Sequence, residues 1–171
     1  MSPKLFWIPG PWRGKLAVST RPRGGDWLYD EIAALRNVGV DVLASLLETT
    51  EVTEFDLFDE CHAAEASGIQ FQSFPIPDRG TPASTLLAVA LIASITESLE
   101  RGENVAIHCR QGVGRSGLIA VAVLVVSGKA PDDAMRIVSA ARGEDVPETT
   151  IQREWLRRLP SLTVLQNSLL A

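Results

Sequence analysis

Apolar and polar positions change period several times along the chain. Residues 5–8 and 15–19 are short apolar-rich runs on either side of a Pro/Gly turn, and they predict two strands. A loop follows at 21–25. Asp26 has the chemistry of an N-cap. It predicts a helix to Asn37, with Trp27, Ile32 and Leu35 on its apolar side and Gly39 as its stop. Residues 40–47 are mostly apolar and fit a buried strand. Residues 59–67 read as a helix that ends at Gly68, and 69–74 alternate apolar and polar side chains, which is the period of a strand.

Three prolines and a glycine within 75–82 forbid helix and central strand there. Thr81 and Pro82 have N-cap and first-turn chemistry and predict a helix from that point to about Arg101, with Leu87, Leu91, Ile95 and Leu99 along one face. Residues 104–108 form a short strand that runs into a glycine-rich loop and then an apolar helix to Val126. Two more helices are expected at 131–141 and at about 149–158, with 159–171 as a loosely held tail. Strands alternating with helices indicate an α/β layered fold.

Composition narrows the picture. With 171 residues, 46% of them hydrophobic, the chain suits one domain with one sizeable core and no need of metals or disulfides. We expect a single domain over 1–171 with its core at about 15–158. The formal net charge of −5 argues against a nucleic-acid partner, which needs a basic face. Cys61, His62, His108 and Cys109 form two adjacent pairs without the spacing of a zinc site, so no metal and no cofactor are expected. The longest apolar run, Leu118 to Val126, has nine residues. A membrane span needs about 20. The opening residues carry no run of signal-peptide length. A cytoplasmic monomer with no membrane partner is the expectation.

The candidate chemistry lies where the strand 104–108 meets the apolar helix, in His108-Cys109-Arg110-Gln111-Gly112-Val113-Gly114-Arg115-Ser116-Gly117. Strand, glycine-rich loop and helix N-terminus in that order make an anion site. The glycines let backbone N–H groups turn inward, and the helix dipole adds positive potential. A cysteine at the mouth of such a site changes its character. An ordinary thiol with a pKa of about 8.5 is about 3% ionised at neutral pH, and fields that hold phosphate also hold thiolate. Arg115 can take two phosphate oxygens at once, which lysine cannot. Residues 112–117 also fit the dinucleotide pattern GxGxxG. That reading lacks an acidic residue at the end of a following strand and leaves too little chain after the loop. A nucleotide P-loop would need a lysine before Ser116. A free cysteine in a tight structural turn would need neither Arg115 nor the proline-flanked Asp78.

The segment from His108 to Ser116 resembles the His-Cys-x5-Arg-Ser/Thr signature of the protein tyrosine phosphatase superfamily. Residues 76–82 resemble its general-acid loop, with Ile76 where the family has tryptophan, and Thr149-Thr150-Ile151-Gln152 resembles its Thr-x-x-Gln segment. The compact size resembles the dual-specificity branch, especially its cyclin-dependent-kinase-inhibitor-3-like relatives. The tyrosine-bearing loop of the large tyrosine-specific members finds no match at Tyr29. The resemblance covers about residues 15–158. It implies a central mixed, mainly parallel sheet flanked by helices, the cysteine-phosphatase fold.

The resemblance also implies roles. Cys109 is the nucleophile and Arg115 the clamp on the transferred phosphoryl group. Asp78 is the acid for the leaving oxygen and then the base for water. Ser116 donates to the Cys109 sulfur, and Gln152 orients the hydrolytic water. His108 orders the loop, and Arg110, Gln111, Gly112, Val113, Gly114 and Arg115 bind phosphate. Arg79 either shields Asp78 or touches the substrate, or is an exposed loop arginine. Cys61 is expected as a buried helix cysteine, with a protective disulfide to Cys109 as the alternative. The implied activity is hydrolysis of phosphotyrosine, with phosphoserine and phosphothreonine as further substrates, on a phosphorylated protein or peptide through a cysteinyl-phosphate. Two alternatives stay open, a phosphate-binding module with little turnover and a phosphoinositide phosphatase. Gln111 and Val113 stand where multiply charged substrates favour lysines, which weighs against the second.

Overall fold

The computed structural model describes residues 4–170, and the side chains of residues 4–160. Five strands form one sheet in the order β1 (Leu5–Ile8), β2 (Leu16–Thr20), β5 (Val105–Cys109), β3 (Val42–Ser45), β4 (Gln70–Ser73). β1 runs antiparallel to β2, and every other pair is parallel. The mixed, mainly parallel sheet flanked by helices is therefore the observed fold. β5 lies at its centre, with Cys109 opposite Thr20 of β2 and His108 opposite Ser45 of β3. A site at the end of β5 thus sits outside the carboxyl ends of three parallel strands, the usual place for ligands in such sheets.

Alternation along the strands divides the core. Val105, Ile107 and Cys109 face a cluster shared with α4 (Thr85–Arg101), α5 (Arg115–Val126), α6 (Pro131–Arg142) and α7 (Thr150–Leu170). Ala106 faces a second cluster built with α1 (Leu28–Asn37) and α3 (Glu60–Ala66). Helix α5 is buried from Arg115 to Val125, which is why its sequence is apolar all round rather than on one stripe. Among the described residues no helix is long and apolar enough to cross a membrane.

Several elements differ from their expected bounds. A short 3-10 turn (Gly25–Trp27) precedes α1, so Asp26 caps nothing. Trp27 is 56% exposed under the Arg23 guanidinium rather than on an apolar face. The buried run 40–47 is strand only over β3, because the Leu46 carbonyl turns away to Ile76 N–H and Arg115. Helix α2 (Thr49–Glu54) has no counterpart among the expected elements. Helix α4 starts later than Thr81–Pro82. Ser84 is its N-cap and accepts from Leu87 N–H at 3.3 Å. With that start the buried face is Ala88, Leu91, Ile92, Ile95 and Leu99, and Leu87 is 60% exposed. The expected tail from 159 is a continuation of α7 to Leu170 through Pro160, and it begins on the buried Leu159. Residues 1–3 and 171 of the expected domain lie outside the described residues.

Candidate active site

The loop between β5 and α5 closes around Cys109, whose side chain is buried with its sulfur 3.4 Å from Ser116 Oγ. Gly112 has φ +71°, and a Cβ there would lie 2.5 Å from the Ser19 carbonyl oxygen, so only glycine lets the loop pass β2. A Cβ on Gly114 would meet the Glu148 carboxylate. From outside the loop, Arg142 on α6 donates to the carbonyls of Gly112 (2.8 Å) and Gln111 (3.2 Å). Carbonyls held outward leave N–H groups facing inward, which is the polarity an oxyanion needs. Burial by itself raises the Cys109 thiol pKa. The Ser116 hydroxyl, the backbone N–H groups of Ser116 and Gly112 and the Arg115 charge together bring it below its ordinary value.

Arg115 is 1% exposed. Its Nη1 and Nη2 donate to the two Glu51 oxygens at 2.6 and 2.8 Å, and Nη1 also donates to the Ile76 carbonyl at 3.1 Å. Glu51 therefore takes the end of the guanidinium and leaves the Nε–Nη2 edge as a pair of donors for an oxyanion. Burial pushes the Glu51 carboxyl up, but Arg115 and the Glu48 N–H hold it below the usual carboxylate range. The same partner raises Arg115 against its own burial.

The proline-rich loop is anchored at Ile76, fully buried where the family resemblance expects tryptophan. Ile76 N–H donates to the Leu46 carbonyl at 3.2 Å. Two residues on, Asp78 Oδ1 lies 3.2 Å from Arg115 Nη2 with its side chain 56% exposed. Arg79 follows with φ +58°, stretched toward Glu148 (Nη1 to Oε1, 2.9 Å). A pocket of about 200 Å³ brings together Asp78, Cys109, Arg110, Gln111, Val113, Gly114 and Arg115 from the expected set, with Arg79 and Glu148 beside them. Gln152 is not at its wall. It is buried, with its amide bonded to the backbone of Gly80 and Thr149.

His108 is buried on the opposite sheet face, with Nε2 2.8 Å from Glu60 Oε1 on α3. Burial lowers its pKa, but the Glu60 carboxylate and the neighbouring Cys109 thiolate outweigh burial and raise it. Cys61, the next residue on α3, is exposed rather than buried. Both cysteines are free, so the structure shows no protective disulfide. Sequence reasoning missed Glu51, Glu60, Arg142 and Glu148. Each is an ordinary helix or loop residue in sequence. The only signal was that a buried arginine and a buried histidine need acidic partners somewhere.

Comparison with known proteins finds relatives among phosphatases. Residues 18–129 match the family model described as "Polymorphic toxin system, DSP-PTPase phosphatase". A solved structure of a mutant form of Tk-PTP is 31% identical, with a TM-score of 0.74 over 96% of this chain and 97% of that one. A structure of kinase-associated phosphatase, with serine for its catalytic-site cysteine, superposes with a TM-score of 0.87 at 18% identity. It covers 96% of this chain and 97% of that one. The candidate tyrosine phosphatase 197R of Invertebrate iridescent virus 6 is 27% identical over 90% of this chain and 56% of its own length. The chain spans about half the length of the curated relatives it matches.

Proposed function

The chain belongs to the dual-specificity branch of the protein tyrosine phosphatase superfamily, and from that premise we propose that it hydrolyses phosphotyrosine, and phosphoserine or phosphothreonine in the same pocket, through a cysteinyl-phosphate. One observation carries the reading. A thiol with a lowered pKa and the Asp78 carboxylate share a pocket, and Arg115 lies between them, 3.2 Å from Asp78. A module that only binds phosphate has no use for the carboxylate, which repels the ligand.

The Cys109 thiolate attacks phosphorus and the bond to the leaving oxygen breaks. Protonated Asp78 gives that oxygen its proton. Arg115 and the loop N–H groups hold the equatorial oxygens, where charge is concentrated in the transition state. Asp78, now a carboxylate, takes a proton from water as the water displaces sulfur from phosphorus. The Ser116 hydroxyl, 3.4 Å away, donates to the departing thiolate. Arg110 and Gln111 line the entrance and contact the rest of the substrate.

The test is a panel of p-nitrophenyl phosphate, phosphotyrosine and phosphoserine peptides and a phosphoinositide, each with Cys109→Ser as control. We expect turnover of the peptides, phosphotyrosine foremost, and none in the variant. Turnover of the inositol lipid alone would overturn the substrate class. Turnover that survives Cys109→Ser would overturn the mechanism.

A further inference from the structure

Gln152 makes no contact with the space where water would attack. Its side chain is fully buried and it does not line the catalytic pocket. Both ends of its amide are committed to backbone. Nε2 donates to the Gly80 carbonyl at 2.9 Å, and Oε1 accepts from Thr149 N–H at 3.2 Å. A carbonyl on one side and an N–H on the other fix which end of the amide is which, so the assignment follows from the partners.

Two further contacts tie the same pair of segments together. The Thr149 hydroxyl donates to the Arg79 carbonyl at 3.2 Å, and Glu148 pairs with Arg79 at 2.9 Å. The start of α7 thus holds the two residues that follow Asp78. Arg79 is one of only two described residues other than glycine with positive φ, a strained conformation that persists only with support from its surroundings. The Gly80 N–H closes the turn onto the Pro77 carbonyl at 2.9 Å, which leaves the Gly80 carbonyl for Gln152. Glu148 also packs against Gly114, so the segment bridges the acid loop and the nucleophile loop.

We propose that Gln152 is a positioning residue for the general acid: it holds the Asp78 loop over Cys109 and so acts already in phosphoryl transfer to the enzyme, rather than only on the water of the later hydrolysis. This rests on Asp78 being the acid. The two roles leave opposite kinetic signatures. kcat/KM includes steps only up to the first irreversible one, the loss of the leaving group. A residue that positions the later water changes kcat and KM together and leaves kcat/KM alone. A residue that positions the acid lowers kcat/KM, and does so most for leaving groups that need a proton.

The experiment compares phenyl phosphate with p-nitrophenyl phosphate in wild type, Gln152→Leu, Asp78→Ala and the double variant. Leucine fills the buried volume without hydrogen bonds. We expect Gln152→Leu to lower kcat/KM for phenyl phosphate by about 10- to 100-fold, part of the roughly 10²–10⁴ a positioned acid supplies. The loss should be much smaller for p-nitrophenyl phosphate, and absent when Asp78 is already alanine. Thr149→Val, which removes one of the loop contacts, should show the same pattern more weakly and carries the test if Gln152→Leu does not fold. Unchanged kcat/KM with a fall in kcat and a burst of p-nitrophenolate would overturn the inference in favour of water positioning. An equal loss for both substrates would overturn it as general structural damage. If Asp78→Ala itself shows no leaving-group dependence, the acid assignment fails and the inference with it, an outcome distinct from failure at Gln152 alone.

Discussion

Arg115 and Glu51 are 64 positions apart and meet in the interior through two hydrogen bonds of 2.6 and 2.8 Å. The pair has little water around it, with side chains 1% and 9% exposed. Removing one partner of such a pair leaves a buried charge uncompensated, at a cost of about 3–5 kcal/mol. Glu51→Ala should therefore lower Tm by on the order of 10 °C, at about 2–4 °C per kcal/mol for a chain of this size. Saturating phosphate or vanadate should raise the Tm of the variant more than that of wild type, because an oxyanion on the Nε–Nη2 edge gives the otherwise unpaired Arg115 charge a negative partner. Differential scanning calorimetry with and without the anion reads both effects. An unchanged Tm without anion would mean that Arg115 is not held from behind by Glu51.

At the scale of elements, β5 and α3 are joined across the sheet face by His108 and Glu60. The folded protein holds the His108 proton more tightly than the unfolded chain, whose histidine titrates near 6.5. The pair's contribution to stability is therefore fully present below about pH 6.5, and it is lost as pH rises through the higher folded pKa. Denaturant unfolding across pH 6 to 9 should show this component of stability falling with pH, and Glu60→Gln should flatten the slope while lowering stability at pH 6. The same slope in the variant would contradict the pairing. The elements also show what a sequence can disclose. The anion loop was legible because its chemistry is contiguous: strand, glycines, helix start and Cys109 to Arg115 lie within a dozen residues. The Ile76–Asp78 loop was legible for the same reason, through its prolines. Helix α2 was not, because its six residues carry no full apolar period, and its main anchor is the ion pair that Glu51 makes with a distant arginine. The start of α4 was misplaced because Thr81-Pro82 and Ser84 offer competing caps, and only the packing of Ala88 and Leu91 decides between them.

Over the whole molecule, the fold brings three separate stretches of chain to one end of β5: the Ile76–Asp78 loop after β4, the Cys109 loop after β5 and the start of α7. Each is fixed to the next by bonds between elements, Asp78 to Arg115, Arg79 to Glu148 and Gln152 to Gly80. Such a site is set by the packing of the cluster beneath it, so core substitutions at Ile76, which anchors the Asp78 loop, should act on activity through loop position as well as on stability. In the proposed reaction the phosphoryl group passes through a covalent bond to Cys109. This step is read by mixing the Asp78→Asn variant, which keeps Cys109 and should slow the proposed water step, with radiolabelled p-nitrophenyl phosphate. The reaction is stopped with denaturant within milliseconds and the labelled peptide is mapped. Label is expected on the peptide containing Cys109, and none when Cys109→Ser is combined with Asp78→Asn. Release of p-nitrophenolate at the wild-type rate with no label on Cys109, or label on any other residue, would contradict it.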